Sequence, residues 1–94
     1  MEHVVVVRSF AEPVVFADVQ AMEDKFAWCL DIRNIRFLHS YFSIDRRRMI
    51  CVYEAPDAES VREANTQAGL PFDVVWSATI HRSARNTPGT AGTT

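Results

Sequence analysis

The chain opens with an apolar run, His3 to Phe10, centred on four consecutive valines, Val4 to Val7. β-Branched residues favour strands, and an unbroken run predicts a central strand buried on both faces. Glu12-Pro13 ends it. From Val15 to about Ile32 the apolar spacing changes to three and four residues. Val19, Met22, Phe26, Cys29 and Leu30 then share one helical face, and Asp18, Glu23, Asp24 and Lys25 take the other. Asn34 is the stop signal. Ile35–Phe42 and Met49–Glu54 read as two strands, and the link between them, Ser43-Ile44-Asp45-Arg46 and its neighbours, is too short for a crossover. They pair antiparallel as a hairpin. Asp57 is placed to cap a second helix, with Glu59 in its first turn. That helix runs to Gln67 or Ala68, with Val61, Ala64 and Ala68 inward, and Gly69 ends it. The last strand is Asp73 to His81. Val74, Trp76, Ala78 and Ile80 alternate there with Asp73, Ser77, Thr79 and His81, and Val75 interrupts the alternation.

The order is therefore β-α-β-β-α-β. Right-handed crossovers turn that order into an α+β, ferredoxin-like split βαβ fold. The expected product is a four-stranded antiparallel sheet in the order 4-1-3-2, with two helices on one face and the other face open. Residues 1–82 form this one domain. Residues 83–94 carry Pro, two Gly and four Thr with almost no apolar side chain, so a disordered tail is expected.

Composition changes the picture in one respect. Hydrophobic residues make up 48% of a 94-residue chain, more than so small a core can enclose. Apolar area is left for a partner, and a homodimer is the simplest one. Net charge is −2 and the basic residues are dispersed, apart from Arg46-Arg47-Arg48 at the hairpin tip. A solvated turn accounts for that run, and the acidic balance argues against nucleic acid. No apolar stretch approaches the ~20 residues of a membrane span, and Val4–Val7 is too short for a secretion signal. The expectation is a cytoplasmic protein with Cys29 and Cys51 reduced, and with neither membrane nor nucleic-acid partners.

Candidate chemistry gathers on the hairpin, in Leu38-His39-Ser40-Tyr41-Phe42 and Met49-Ile50-Cys51-Val52-Tyr53-Glu54. Polar groups in a sheet must be paired, solvated or used. His39 is a candidate acid, base or metal ligand. Tyr41 and Tyr53 are candidates for orienting a ligand, and Glu54 for a base or hard ligand. Cys51 reads as a small buried hydrophobe, and Cys29 as core. Which of these share a face depends on hairpin register. A three-residue loop, the register favoured here, puts His39, Tyr41, Cys51 and Tyr53 together. His3 and His81 lie at strand ends that an antiparallel pairing of the first and last strands brings close. With His39 they are the candidate metal ligands, and imidazole suits nickel, copper or zinc. Glu54 is expected to be solvated or paired with an arginine such as Arg62. There is no phosphate-binding glycine loop, zinc-finger spacing or nucleophile elbow.

Four blocks carry a family resemblance: Leu38-His39-Ser40-Tyr41, Cys51-Val52-Tyr53-Glu54-Ala55-Pro56-Asp57, Val61-Arg62-Glu63-Ala64 and Ala68-Gly69-Leu70-Pro71. In this order they resemble DUF4242, a family of small bacterial domains also described as nickel-binding-protein-like. The resemblance spans about residues 3–82. It implies a ferredoxin-like fold, a homodimer and a divalent transition metal, nickel, as candidate cofactor. The matching positions are His39, Tyr41, Cys51, Tyr53 and Glu54. The family often carries a histidine in the second helix, where this chain reads Glu63-Ala64-Asn65-Thr66-Gln67.

Two functional readings follow. One is a small ligand- or metal-binding dimeric protein. The other is a cofactor-free enzyme of cyclase, isomerase or oxygenase type, with His39 as acid or base and Tyr41 and Tyr53 orienting substrate. A purely structural interaction domain stands beside these two as a reading without a ligand.

Overall fold

The computed structural model of the protein describes residues 1–83. The expected tail lies outside the described residues, apart from Ser83. The elements are β1 (Glu2–Ser9), α1 (Phe16–Lys25), α2 (Ala27–Ile32), β2 (Arg36–Phe42), β3 (Arg48–Ala55), α3 (Ala58–Ala68) and β4 (Val74–Ala78). The sheet runs β2-β3-β1-β4 with every neighbouring pair antiparallel, so the ferredoxin-like order is realised.

One face of the sheet carries the core. Val4 and Val6 of β1, Met49, Cys51, Tyr53 and Ala55 of β3 and Val75 of β4 pack there against Val19, Cys29, Val61 and Ala64 from the helices. β1 is central, as its valine run predicts, but Val5 and Val7 are only half-buried on the opposite face. The last strand departs from its sequence reading in the same sense. Val75, which seemed to break the alternation, is its core residue, and Val74 and Trp76 stand on the open face, each 48% exposed.

The helix predicted after Asp57, α3, is built as expected. Asp57 Oδ1 accepts from the Ser60 N–H at 2.7 Å. Gly69 adopts φ 71°, and the Leu70 and Gly69 amides donate to the carbonyls of Asn65 and Thr66 at 3.0 and 3.2 Å, closing the helix end. Asn34 makes the same left-handed stop, φ 58°, after α2.

The first helix differs from its prediction. It breaks at Phe26, whose φ of −111° and ψ of 14° are not helical, and becomes the two short helices α1 and α2. Met22, expected inward, is exposed, and Glu23, expected outward, is buried. The apolar stripe of α1 is weak, and the carboxylate of Glu23 finds polar partners on the sheet. Those partners set the rotation of the helix.

The hairpin register also differs. Ser43 N–H donates to the Arg48 carbonyl at 2.9 Å, leaving four residues in the loop rather than three. Ser43 and Asp45 side chains hold the tip: Ser43 Oγ accepts from the Arg48 amide at 2.9 Å and Asp45 Oδ1 from the Arg47 amide at 3.1 Å. The pairs that follow are Tyr41 with Ile50, Ser40 with Cys51 and His39 with Val52. A bulge between Phe37 and His39 then shifts the register, so that Phe37 pairs with Tyr53 and Arg36 with Glu54. An extra residue in one strand moves all later side chains to the other face.

Candidate functional site

Alternation and register divide the polar side chains between the two faces of the sheet. On the open face, three ladder rows can be read across the strands. One joins Tyr41, Ile50, Val7 and Val74, the next His39, Val52, Val5 and Trp76, and the third Arg36, Glu54, His3 and Ala78. The first two rows are largely apolar, and Tyr41, Ile50, Val74 and Trp76 are all exposed. The third is polar. Its Glu54 pairs with Arg36 Nη2 at 3.2 Å, not with Arg62, which binds Glu59 at 2.6 Å and the Val75 carbonyl at 2.7 Å. His39 meets the Tyr41 ring edge to face, with centroids 5.4 Å apart.

The grouping of His39, Tyr41, Cys51 and Tyr53 expected from sequence is therefore split. His39 and Tyr41 stand on the open face, whereas Cys51 and Tyr53 point into the core, 0% and 1% exposed. The four-residue loop puts odd positions of β2 opposite even positions of β3, and the expected cluster required odd opposite odd. Tyr53 thus has no access to a molecule bound at His39.

His3 and His81 do not face each other across the strands. β4 ends at Ala78, which is the partner of His3, and His81 lies three residues beyond, its Nε2 2.8 Å from Thr79 Oγ1. Among the described residues no three His, Cys, Asp or Glu side chains converge as a metal shell. Within one chain, His3, His39 and Glu54 share only a face. They do not form a complete ligand set for nickel.

The helix-covered face holds the second constellation, which the sequence reading did not single out. Arg8 is completely buried. Its Nη1 donates to the Pro71 carbonyl at 2.9 Å, and its Nη2 donates to Asn65 Oδ1 at 2.7 Å and to the Tyr53 hydroxyl at 3.3 Å. Glu23 Oε1 lies 3.7 Å from Nη2 and accepts from the Tyr53 hydroxyl at 3.1 Å. Asn65 is fixed in turn by donating to the Val61 carbonyl at 2.8 Å.

Burial raises the Glu23 carboxyl above its ordinary range, outweighing the Tyr53 hydrogen bond and the charge of Arg8, both of which favour the anion. Burial also raises the Cys51 thiol, so it stays protonated and is no nucleophile. It pushes the Tyr53 hydroxyl far up, with the Glu23 charge adding to the effect, and leaves it a neutral donor.

Signals for this cluster were present in the sequence. Arg8 continues the even-numbered, buried set of β1 after Val4 and Val6. Asn65 lies beside Ala64 and four residues after Val61, on the inward stripe of α3. Glu23 lies four residues after Val19. Each reads as a solvated polar residue until the partner that pairs it is known.

The fold and the split of polar groups between its two faces describe a small ferredoxin-like α+β protein. The sequence pattern of the nickel responsive, SCO4226-like proteins matches residues 5–77, and the chain belongs to that family. Among solved structures it resembles SCO4226 from Streptomyces coelicolor A3(2), with a TM-score of 0.75 and 16% identity over 85% of this chain and 99% of that one. It also resembles an unknown protein from Galdieria sulphuraria, with a TM-score of 0.56 and 18% identity over 88% of this chain and 48% of that one. At these identities the two structures speak for the fold alone. No curated protein matches the chain. No helix among the described residues is long and apolar enough to cross a membrane.

Proposed function

We propose that the protein is a nickel-binding member of its family that acts as a homodimer closed over the open face of the sheet. His3, His39 and Glu54 are the donors it offers there. One observation carries the reading. In a chain of a nickel-responsive family, two imidazoles and a carboxylate stand on the same uncovered face, beside an exposed apolar surface of Ile50, Val74 and Trp76.

Imidazole nitrogen suits nickel, and a carboxylate can complete such a shell. One chain brings too few converging donors, and a second copy across a two-fold axis doubles them. The apolar rows supply the contact area, which a pair of copies removes from water. The alternative reading, a cofactor-free enzyme with His39 as acid or base and Tyr41 and Tyr53 orienting substrate, keeps His39 beside Tyr41 but loses Tyr53, which lies on the opposite face of the sheet.

Calorimetric titration of nickel into the protein tests the proposal. Saturable heat is expected, reduced by His3→Ala and by His39→Ala, together with a dimer in sedimentation that Trp76→Ser dissociates. Absence of heat with nickel, or an isotherm that neither histidine variant changes, overturns the metal assignment. A wild-type monomer overturns the dimer.

A further inference from the structure

Away from the sheet, α3 presents a polar face. Glu59, Arg62, Glu63, Thr66 and Gln67 recur there at three- and four-residue spacing, opposite the inward Val61, Ala64 and Ala68. With Arg33, at the end of α2, and Phe72, in the link to β4, they line a groove of about 330 Å³. That volume is at the small end of the roughly 300–1,000 Å³ of small-molecule sites.

The polar groups of the groove are not equally engaged. Arg62 is spent within the chain: Nη1 donates to Glu59 Oε2 at 2.6 Å and Nη2 to the Val75 carbonyl at 2.7 Å. Thr66 Oγ1 donates to the Arg62 carbonyl at 2.9 Å. Gln67 Oε1 accepts from Cys29 Sγ at 3.3 Å, which engages its oxygen and leaves its NH2 as a donor. Arg33 and Glu63 remain. Among the described residues neither has an ion-pair partner, and they do not pair with each other although they line the same groove. Arg33 is half-buried, and its Nε is withdrawn from water without a hydrogen-bond partner. A cation partly removed from water and left unpaired costs free energy that an anionic partner recovers. Phe72, half-buried and packed against the core, is a fixed apolar wall beside these two charges.

We propose that this groove binds a zwitterionic α-amino acid with an apolar side chain. Its carboxylate pairs with Arg33, with the Gln67 NH2 as a further donor. Its ammonium pairs with Glu63, and its side chain lies against Phe72. Other small ligands answer only part of the site. A phosphate brings two negative charges toward Glu59 and Glu63, a simple carboxylic acid leaves Glu63 facing a like charge, and a simple amine leaves Arg33 unpaired. The walls are set before a ligand arrives, because Arg62 is clamped at both ends and the left-handed Asn34, φ 58°, fixes the chain directly after Arg33. Little ordering is left for binding to oppose. The groove draws on none of His3, His39 and Glu54, so it stands or falls apart from the nickel reading.

The test titrates L-leucine into the wild-type protein and follows backbone amide NMR shifts. Two matched probes each lack one charge: 4-methylpentanoate has no ammonium, and 3-methylbutylamine has no carboxylate. Saturable shifts at Arg33, Glu63 and Phe72 are expected with leucine, and binding about tenfold weaker with either probe, the scale of one charge-assisted hydrogen bond. Glycine, with both charges and no side chain, is expected to bind about tenfold weaker as well. Arg33→Gln should weaken leucine about tenfold and leave 3-methylbutylamine unchanged, and Glu63→Gln should weaken leucine without weakening 4-methylpentanoate. The comparison among ligands is made on the wild type and needs neither variant. Absence of saturable shifts at these residues, or binding of either single-charge probe or of glycine as tight as that of leucine, overturns the proposal.

Discussion

The two faces of this sheet handle polar groups in opposite ways. On the helix-covered face, one arginine, one glutamate, one tyrosine and one asparagine are withdrawn from water and matched to one another within a few ångströms. On the open face, His3, His39, Glu54 and Arg36 keep contact with solvent, and large apolar side chains do so as well. The buried set is committed: each member has its partners inside the chain, and losing one strands the others. The open set is available, because its imidazoles and apolar rows have few internal partners. Structure is held by the first arrangement and left for recognition by the second. Perturbations should therefore be felt as stability on one face and as association on the other.

The largest effect is expected from Arg8→Leu, which strands the Glu23 carboxylate and the Asn65 and Tyr53 side chains in the core. A loss of about 3–5 kcal/mol is predicted, the cost of breaking a buried ion pair on one side. Against the 5–15 kcal/mol typical of a whole domain, roughly, urea denaturation should find the variant barely folded. Tyr53→Phe removes one hydroxyl between two charged groups and should cost about 1.5–3 kcal/mol in the same assay. A loss below a few tenths of a kcal/mol would mean that the internal network contributes little.

Glu23 gives the buried face a pH dependence of known sign. Its carboxyl is held above the ordinary range when folded, so between the ordinary and the raised value the folded chain keeps a proton that the unfolded chain has released. Its contribution is most favourable below the ordinary carboxylate range and declines as pH rises toward the raised value. Urea midpoints measured from about pH 4 to 7 should fall with pH in the wild type and flatten in Glu23→Gln. A rise with pH that Glu23→Gln abolishes would reverse the assignment.

On the open face the expected changes in stability are small. Arg36→Ala opens the surface pair with Glu54 and should cost less than about 1 kcal/mol. Trp76→Ser should leave the unfolding of the isolated chain within about 0.5 kcal/mol while abolishing self-association in sedimentation. A large loss of intrinsic stability in that variant would erase the contrast between the faces.

Local chemistry made much of the architecture legible. The valine run, the Asp57 cap, the left-handed stops at Asn34 and Gly69 and the short hairpin link each specify a segment by contacts a few residues apart. With right-handed crossovers, those segments lead to one strand order, and the observed sheet has it. The four sequence blocks also pointed to a nickel-linked family. Tertiary structure alone decided which side chains meet. A four-residue loop and a bulge, set by the Ser43 and Asp45 hydrogen bonds and by core packing, put His39 and Tyr53 on opposite faces. Val75 rather than Trp76 went to the core, and Glu23 rather than Met22 turned inward. The physical reason is the same in each case. Periodicity reports the average burial of a segment, but a polar side chain is buried only where a distant residue offers the matching charge or hydrogen bond. Arg8 and Asn65 are 57 positions apart in the chain and 2.7 Å apart in the fold.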